Sequence, residues 1–302
     1  MTVLVLGATG FIGSHLVRAL ESRDCEVIAG ARSQGVDRRD VAAVTALARA
    51  RQVRVVIDLL AYTESDTLPL LDAFEGLVER WIMTSSCDVY RNYEGLHRKA
   101  ACEPLPLLAE NAPLRTTRYP YRTGRPAEAA DAWLDAYDKI PLEEALRARS
   151  DHVILRLPMV FGPGDKQRRF RWLLKPMLAG GDRLTVARSW AAWRTSYGYV
   201  EDVADAIATA ALHPAAAGRT FNLGPPDAPD HHVWIDRFLT ALDWKGEVVE
   251  ASALNSGPLS ALDLSYPLIL DTGAFRDSCD WREPTSLDQA LAHTIDDERS
   301  RG

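Results

Sequence analysis

Residues 2–23, TVLVLGATGFIGSHLVRALESR, decide the fold. The opening TVLVLG carries an unbroken apolar run, as expected of a strand buried on both faces. From Phe11 onward the spacing changes, and Ile12, Leu16, Ala19 and Leu20 recur at helical intervals. Gly7, Gly10 and Gly13 lie between the two patterns. Three glycines at this spacing mean little alone, but a strand before and a helix after them give the spacing a mechanism. The turn must be tight, the backbone must approach a pyrophosphate closely, and the helix N-terminus must present free N–H groups to negative charge. Gly7, Thr9, Gly10, Phe11, Ile12 and Gly13 are therefore read as a dinucleotide cradle.

The same alternation recurs along the chain. CEVIAGA reads as a second strand, VRVVIDLLA as a third, VERWIMTSS as a fourth and HVILRLPMVFG as a fifth, with helical segments between most of them. Strands spaced by helices imply right-handed crossovers and a parallel sheet, so the fold class is α/β, a doubly wound parallel sheet. After FGPG the pattern shifts to a basic, aromatic segment, DKQRRFRWLLKPMLAGG. Then come YVEDVADAIATAAL as a helix, RTFNLG as a strand and a proline-rich break. Ser286 and Gln289 form a capping box for a last helix.

With 302 residues, nearly half of them apolar, the chain can bury a sizeable core. A formal charge of −7 argues against a general nucleic-acid or membrane surface. No apolar run is long enough to span a membrane, and the N-terminus lacks the features of a leader peptide, which predicts a cytoplasmic protein. Cys25, Cys87, Cys102 and Cys279 are scattered without metal-binding spacing and read as packing residues, so no metal site is expected.

The second strand bears on the choice of cofactor. A site for NAD usually closes this strand with an acid that receives the ribose hydroxyls. Here it ends AGARS, which places Arg32 to meet a 2′-phosphate and Ser33 to add a hydroxyl, so NADP(H) is favoured over NAD(H). Asp58, Leu59, Leu60 and Ala61 follow the third strand, at the carboxyl edge where such sheets bind cofactors, and are expected to border the riboses.

GATGFIG, TSSCDVY, LRLPMVFGPGD, YVEDVADAI, FNLG and LDTGAFRDSCDW together resemble the NAD(P)-dependent epimerase/dehydratase family, extended or atypical short-chain dehydrogenase/reductases. The resemblance implies a seven-stranded Rossmann-type domain over 1–160, with 190–224 returning to it. It also implies a smaller C-terminal substrate lobe from 161–189 and 225–302. Within that likeness Ser86 matches the serine that bonds the substrate oxygen, with Asp88 and Tyr90 of the same stretch expected to face the substrate. Lys139 matches the lysine that holds the nicotinamide ribose and lowers the pKa of a neighbouring phenol. The family places a tyrosine four residues before that lysine, and this chain has Asp135 there.

Three readings of DAYDKIPLEE, residues 135–144, follow. In a regular helix Tyr137 and Lys139 would point about 200° apart, but Pro141 cannot donate to the carbonyl of Tyr137, so the helix is expected to start with Asp138 as N-cap. Tyr137 is then free to occupy the vacant place. Alternatively Asp135 acts as a base. In the third reading neither acts, and Tyr119, Tyr121 or the substrate itself serves instead.

Two further segments are assigned to the substrate. Arg168 and Arg169 belong to a basic run suited to a phosphate or carboxylate. Trp193, Arg194 and Tyr197 fall in an aromatic stretch suited to stacking on an aromatic substrate, Arg194 being one position out of register with the family's diphosphate-binding arginine. The sequence thus predicts an NADP(H)-dependent oxidoreductase acting at a carbonyl or alcohol carbon of a small aromatic or anionic molecule, and it leaves room for a homodimer. The alternatives are a nucleotide-sugar epimerase or dehydratase with tightly bound NAD(P), and a redox-silent NADP(H)-binding regulator.

Overall fold

The structure, a computed structural model, describes residues 1–149, 151–252 and 261–302. Residues 253–260 of the expected lobe segment 225–302 lie outside the described residues. Strand β1 (Thr2–Leu6) runs into helix α1 (Phe11–Glu21), and β2 (Glu26–Gly30) leads to α2 (Val41–Ala50). β3 (Val55–Asp58) precedes α3 (Glu64–Phe74), and β4 (Arg80–Ser86) is followed by the short α4 (Arg91–Leu96). Residues 97–138 then form a long excursion with one 3-10 turn, Ala132–Ala136, before α5 (Lys139–Arg147). β5 (His152–Leu157), β6 (Met159–Phe161), α6 (Arg171–Leu178), β7 (Arg183–Ala187), α7 (Arg188–Ala191) and β8 (Tyr197–Tyr199) come next. The chain ends with α8 (Val200–Leu212), β9 (Arg219–Asn222), α9 (His231–Leu242), β10 (Glu247–Ala251), α10 (Gly273–Ser278) and α11 (Leu287–Ser300).

Six parallel strands form the central sheet in the order β2-β1-β3-β4-β5-β9. The apolar run of β1 is buried on both faces. Val3 and Val5 join one core with Leu16 and Leu20 of α1, while Leu4 and Leu6 join the other with Val44, Leu70 and Leu142 from α2, α3 and α5. Alternation of period two inside a continuous apolar strand thus feeds both helical layers.

The sheet has six strands among the described residues rather than the seven that the resemblance implies. HVILRLPMVFG also divides, because Pro158 lacks the N–H that would continue the ladder. β5 stays in the sheet, while β6 leaves it and pairs in parallel with β8. A second small parallel pair, β7 with β10, lies outside the sheet. The capping box at α11 is formed, with Ser286 and Gln289 bonding reciprocally. Among the described residues no helix is long and apolar enough to cross a membrane.

Candidate active site

The glycine-rich turn has the geometry that a pyrophosphate requires. Gly7 has φ of 95°, in the left-handed region that favours glycine, and its carbonyl accepts from Gly10 N–H at 2.9 Å. A Cβ on Gly13 would stand 2.0 Å from the Gly7 carbonyl oxygen, so no side chain fits there. Gly10 caps α1 with no side-chain acceptor, and the first turn carries no acid, which leaves the helix N-terminus to an anionic ligand. Thr9, Gly10, Phe11 and Ile12 all reach the surface at this turn.

At the end of β2, Arg32 and Ser33 are exposed in a 3-10 turn, Arg32–Gln34. Arg32 forms no ion pair among the described residues. At the end of β3, Asp58 is fully buried and accepts from Arg38 Nη2 at 2.6 Å and from Leu60 N–H at 2.8 Å. Burial pushes its carboxyl up, and Arg38 opposes the rise. Leu59 is buried, and the side chain of Leu60 closes against Gly7.

The carboxyl end of β4 gathers the chemistry. Asp138 is the N-cap of α5, accepting from Ile140 N–H, so Tyr137 sits outside the helix in extended conformation. It bridges to Thr63, and Asp138 N–H donates to Tyr62 carbonyl at 3.2 Å, which lays this segment along the end of β3. The hydroxyl of Tyr137 donates to Asp88 Oδ2 at 3.1 Å, and that of Tyr121 donates to the same oxygen at 3.0 Å. Asp88 Oδ1 is buried and has no partner among the described residues. Burial pushes the Asp88 carboxyl above its usual range despite Arg115 and the two phenols. Lys139 Nζ donates to the carbonyls of Ala61 at 2.6 Å and Thr84 at 2.9 Å, and lies 5.7 Å from the centre of the Tyr137 ring. Burial brings Lys139 down to about 8. Ser86 is half-buried and its Oγ accepts from Asp88 N–H at 3.2 Å.

One expectation about Tyr137 needs correcting. Lys139 was to lower its pKa, but burial first, and the Asp88 carboxylate next, push the phenol well above 10. In this state Tyr137 is a proton holder. Cys87 is equally inert as a nucleophile, since burial raises its thiol to about 12.

Several expected residues lie elsewhere or are already engaged. Asp135 accepts from the N–H groups of Thr123 and Arg125 and pairs with the Arg125 guanidinium at 2.5 Å. The Thr123 bond leads the causes that hold its carboxyl down at about 2, so Asp135 pins the loop that carries Tyr121 rather than facing Lys139. Tyr119 donates to Glu64 instead. Tyr90 is fully buried, donating to Asn222 Oδ1 and accepting from Arg156, which takes it out of the substrate set. Trp193 is buried with its indole N–H on the Tyr266 carbonyl, and buried Tyr197 bonds His231, so both pack the core around β8 and α9. Arg168 is paired with Glu298 and Arg169 with Asp165, which leaves their charges internally balanced. Arg194 is exposed and donates to the Ala228 carbonyl.

The structure adds residues that sequence reasoning missed. Tyr62 and Trp133 stack at 5.0 Å beside Tyr137, and Lys139 Nζ lies 4.8 Å over the Tyr62 ring. Tyr93 meets Tyr121 edge-on, completing an aromatic wall around Asp88. Arg115 is buried against the Asp88 carbonyl and pairs with Asp138. Tyr62 and Trp133 carry no motif, and their meeting depends on the path of the 97–138 excursion.

Residues 3–224 match the model of the NAD dependent epimerase/dehydratase family. No curated protein matches the chain in sequence. Among solved structures, a UDP-glucose 4-epimerase of Thermotoga maritima with UDP-glucose superposes at TM-score 0.69 with 18% identity, covering 100% of this chain and 99% of that one. A dTDP-glucose 4,6-dehydratase of Bacillus anthracis with NAD gives TM-score 0.68 and 15% identity, covering 99% and 97%. A UDP-glucose-4-epimerase of Stenotrophomonas maltophila with NAD and formylated UDP-arabinopyranose gives 0.70 and 17%, covering 100% and 98%.

Proposed function

The chain belongs to the NAD dependent epimerase/dehydratase family, and from that premise we propose that it is a nicotinamide-dependent oxidoreductase. It would act at an alcohol or carbonyl carbon of a small molecule, with NADP(H) preferred. The observation that carries the reading is that Tyr137 donates to Asp88, a buried carboxylate with one oxygen unpartnered among the described residues, with Lys139 Nζ 5.7 Å from the Tyr137 ring and Ser86 Oγ on the Asp88 backbone N–H.

The bound nicotinamide would exchange a hydride with the substrate carbon. Lys139, anchored by two carbonyls, has one further N–H to offer a ribose hydroxyl. Ser86 orients the substrate oxygen. Tyr137 keeps its proton in the buried site, so in the reducing direction it protonates the oxygen as the carbonyl becomes an alcohol. Asp88, raised by burial and touching the phenol, is the group that would take up a proton from solvent and pass it to the phenolate left on Tyr137. The preference for NADP(H) rests on exposed Arg32 with no ion-pair partner among the described residues, on adjacent Ser33, and on the lack of an acid closing β2. Segments 161–189 and 225–302 would form the lobe that covers the substrate.

A second reading, a nucleotide-sugar epimerase or dehydratase that retains its cofactor, is favoured by the full-length match to such enzymes. Tyr137→Phe tests the site for either reading. Its kcat should fall by about 10²–10⁴-fold with NADPH affinity preserved. A variant that turns over normally would remove the phenol from the mechanism. Dissociation constants of NADPH and NADH for the unaltered chain decide the cofactor, and cofactor that survives purification without net NADPH consumption would favour the second reading.

A further inference from the structure

Helix α8 packs on α1, with Glu201 3.4 Å from His15, and its Asp205 pairs with Arg23 just beyond the end of α1. A different face of α8, carrying Asp202, Val203 and Ala206, lines a cavity of about 210 Å³. Its other walls come from β6 and β8, including Phe161 and Tyr197, from the loop after β9, from α9 and from the segment entering α11, and none of the residues around Asp88 lines it. About 150 Å³ is enough to hold a benzene ring.

Asp202, Asp227 and Glu283 face this cavity with a single guanidinium, that of Arg237. Two of the carboxylates are already balanced. Glu283 accepts from Arg276 at 2.5 Å, and Asp227 pairs with Arg237 at 3.7 Å. Asp202 is 6% exposed and accepts one bond, from Thr285 N–H at 3.0 Å, but no cation pairs with it among the described residues. Burial raises its carboxyl to about 6, Thr285 opposing and Glu283 and Asp205 adding to the rise, and a cation beside it would favour the ionised form. A buried carboxylate without a countercharge is costly, and a cationic ligand removes that cost.

The remaining lining is apolar and aromatic, chiefly Pro225, Pro226, Trp234 and Trp281. Arg237 covers a face of Trp234 at 5.1 Å, and the Trp234 indole N–H is buried without an acceptor among the described residues. We propose that this cavity binds a small arylalkylamine, its ammonium paired with Asp202 and its ring held among the prolines and tryptophans. The site is independent of the reaction assigned to the Asp88 cluster.

Calorimetric titration of the full chain near neutral pH with tryptamine, and with tryptophol as its neutral counterpart, tests the proposal. Tryptamine should bind about tenfold or more tightly than tryptophol. Asp202→Asn, which keeps an acceptor for Thr285, should bring tryptamine down to the level of tryptophol. Ala206→Phe should fill the cavity and abolish both, with NADPH binding unchanged. If thermal melting shows that Ala206→Phe is misfolded, Leu287→Trp at the cavity's exposed rim serves as the block. Equal binding of the two probes, no binding of either, a preference that survives Asp202→Asn, or binding that survives the block would each overturn it.

Discussion

Glu143 and Asp88 are both buried carboxylates near the carboxyl end of β4, and their surroundings differ in one respect that decides their roles. Glu143 Oε1 accepts from Ser85 Oγ at 2.6 Å and Arg156 Nε at 3.0 Å, and Oε2 accepts from Arg147 at 2.6 Å and Arg156 Nη2 at 2.7 Å. Its capacity for four bonds is used. Burial works against its charge, yet the Arg156 and Ser85 bonds outweigh it and hold the carboxyl below its usual range. Asp88 has two phenols on one oxygen and, among the described residues, nothing on the other, and burial prevails there. A fully satisfied buried acid fastens a sheet to a helix. A half-satisfied one keeps an oxygen for a ligand or a proton.

Asp88→Asn breaks the comparison most sharply. The amide cannot take up a proton, so kcat should fall by about 10²–10⁴-fold, while the melting temperature holds or rises because a poorly satisfied charge is gone. Unaltered turnover would reduce Asp88 to a packing residue. Glu143→Gln should do the reverse. Arg156 would be left buried without its countercharge, at a cost of about 3–5 kcal/mol in stability, read by denaturant unfolding. Turnover per folded molecule should change little, and a selective loss of kcat would mean that the two carboxylates are not separable.

The contrast also marks what could be read from the sequence. The cradle is local: Gly7 and Gly13 are six residues apart and act on each other, so the motif contains its own reason. The helix start at Asp138 was legible on the same grounds, through Pro141. Tyr90 was not, because its partners Arg156 and Asn222 come from distant strands, and only the sheet order makes that phenol core. Likewise Arg168 meets Glu298 across the chain, so a basic run that suggested an anion site turns out to carry its own counterions. Asp88 and Tyr121 are joined by the irregular 97–138 excursion, whose path no periodicity encodes.

Lys139 supplies a third test, of intermediate size. Burial first, opposed by Asp58 and Asp88, lowers it to about 8 from 10.5. Between these values the unfolded chain keeps a proton that the folded chain has released, so this group makes stability rise with pH across the window, and below it the cost of the buried charge is fully present. Cofactor affinity should move the other way, weakening by up to about tenfold per pH unit above 8 as the ammonium is lost. Titrations of NADPH and melting temperatures from neutral pH upward should therefore diverge. Parallel trends would show that Lys139 does not titrate in this range.

The smallest effect is expected at Asp135, the acid that occupies the family tyrosine's place in the sequence. Its oxygens accept from Thr123 and Arg125 backbone N–H groups and from the Arg125 guanidinium, bonds that are all internal to the loop over 121–135. Asn keeps an acceptor for one of them and loses the charge that Arg125 meets in a partly exposed pair, while Arg125 keeps Asp131 as its second partner. Asp135→Asn should hence leave kcat within about twofold, with any change falling on KM through the position of Tyr121. Because that carboxyl is held at about 2, its charge is constant over any working pH and can add no inflection to a rate profile. Abolished turnover in Asp135→Asn alongside an active Tyr137→Phe would move proton transfer from the phenol to this carboxylate, and a fully bonded acid would then act where half-bonded Asp88 does not.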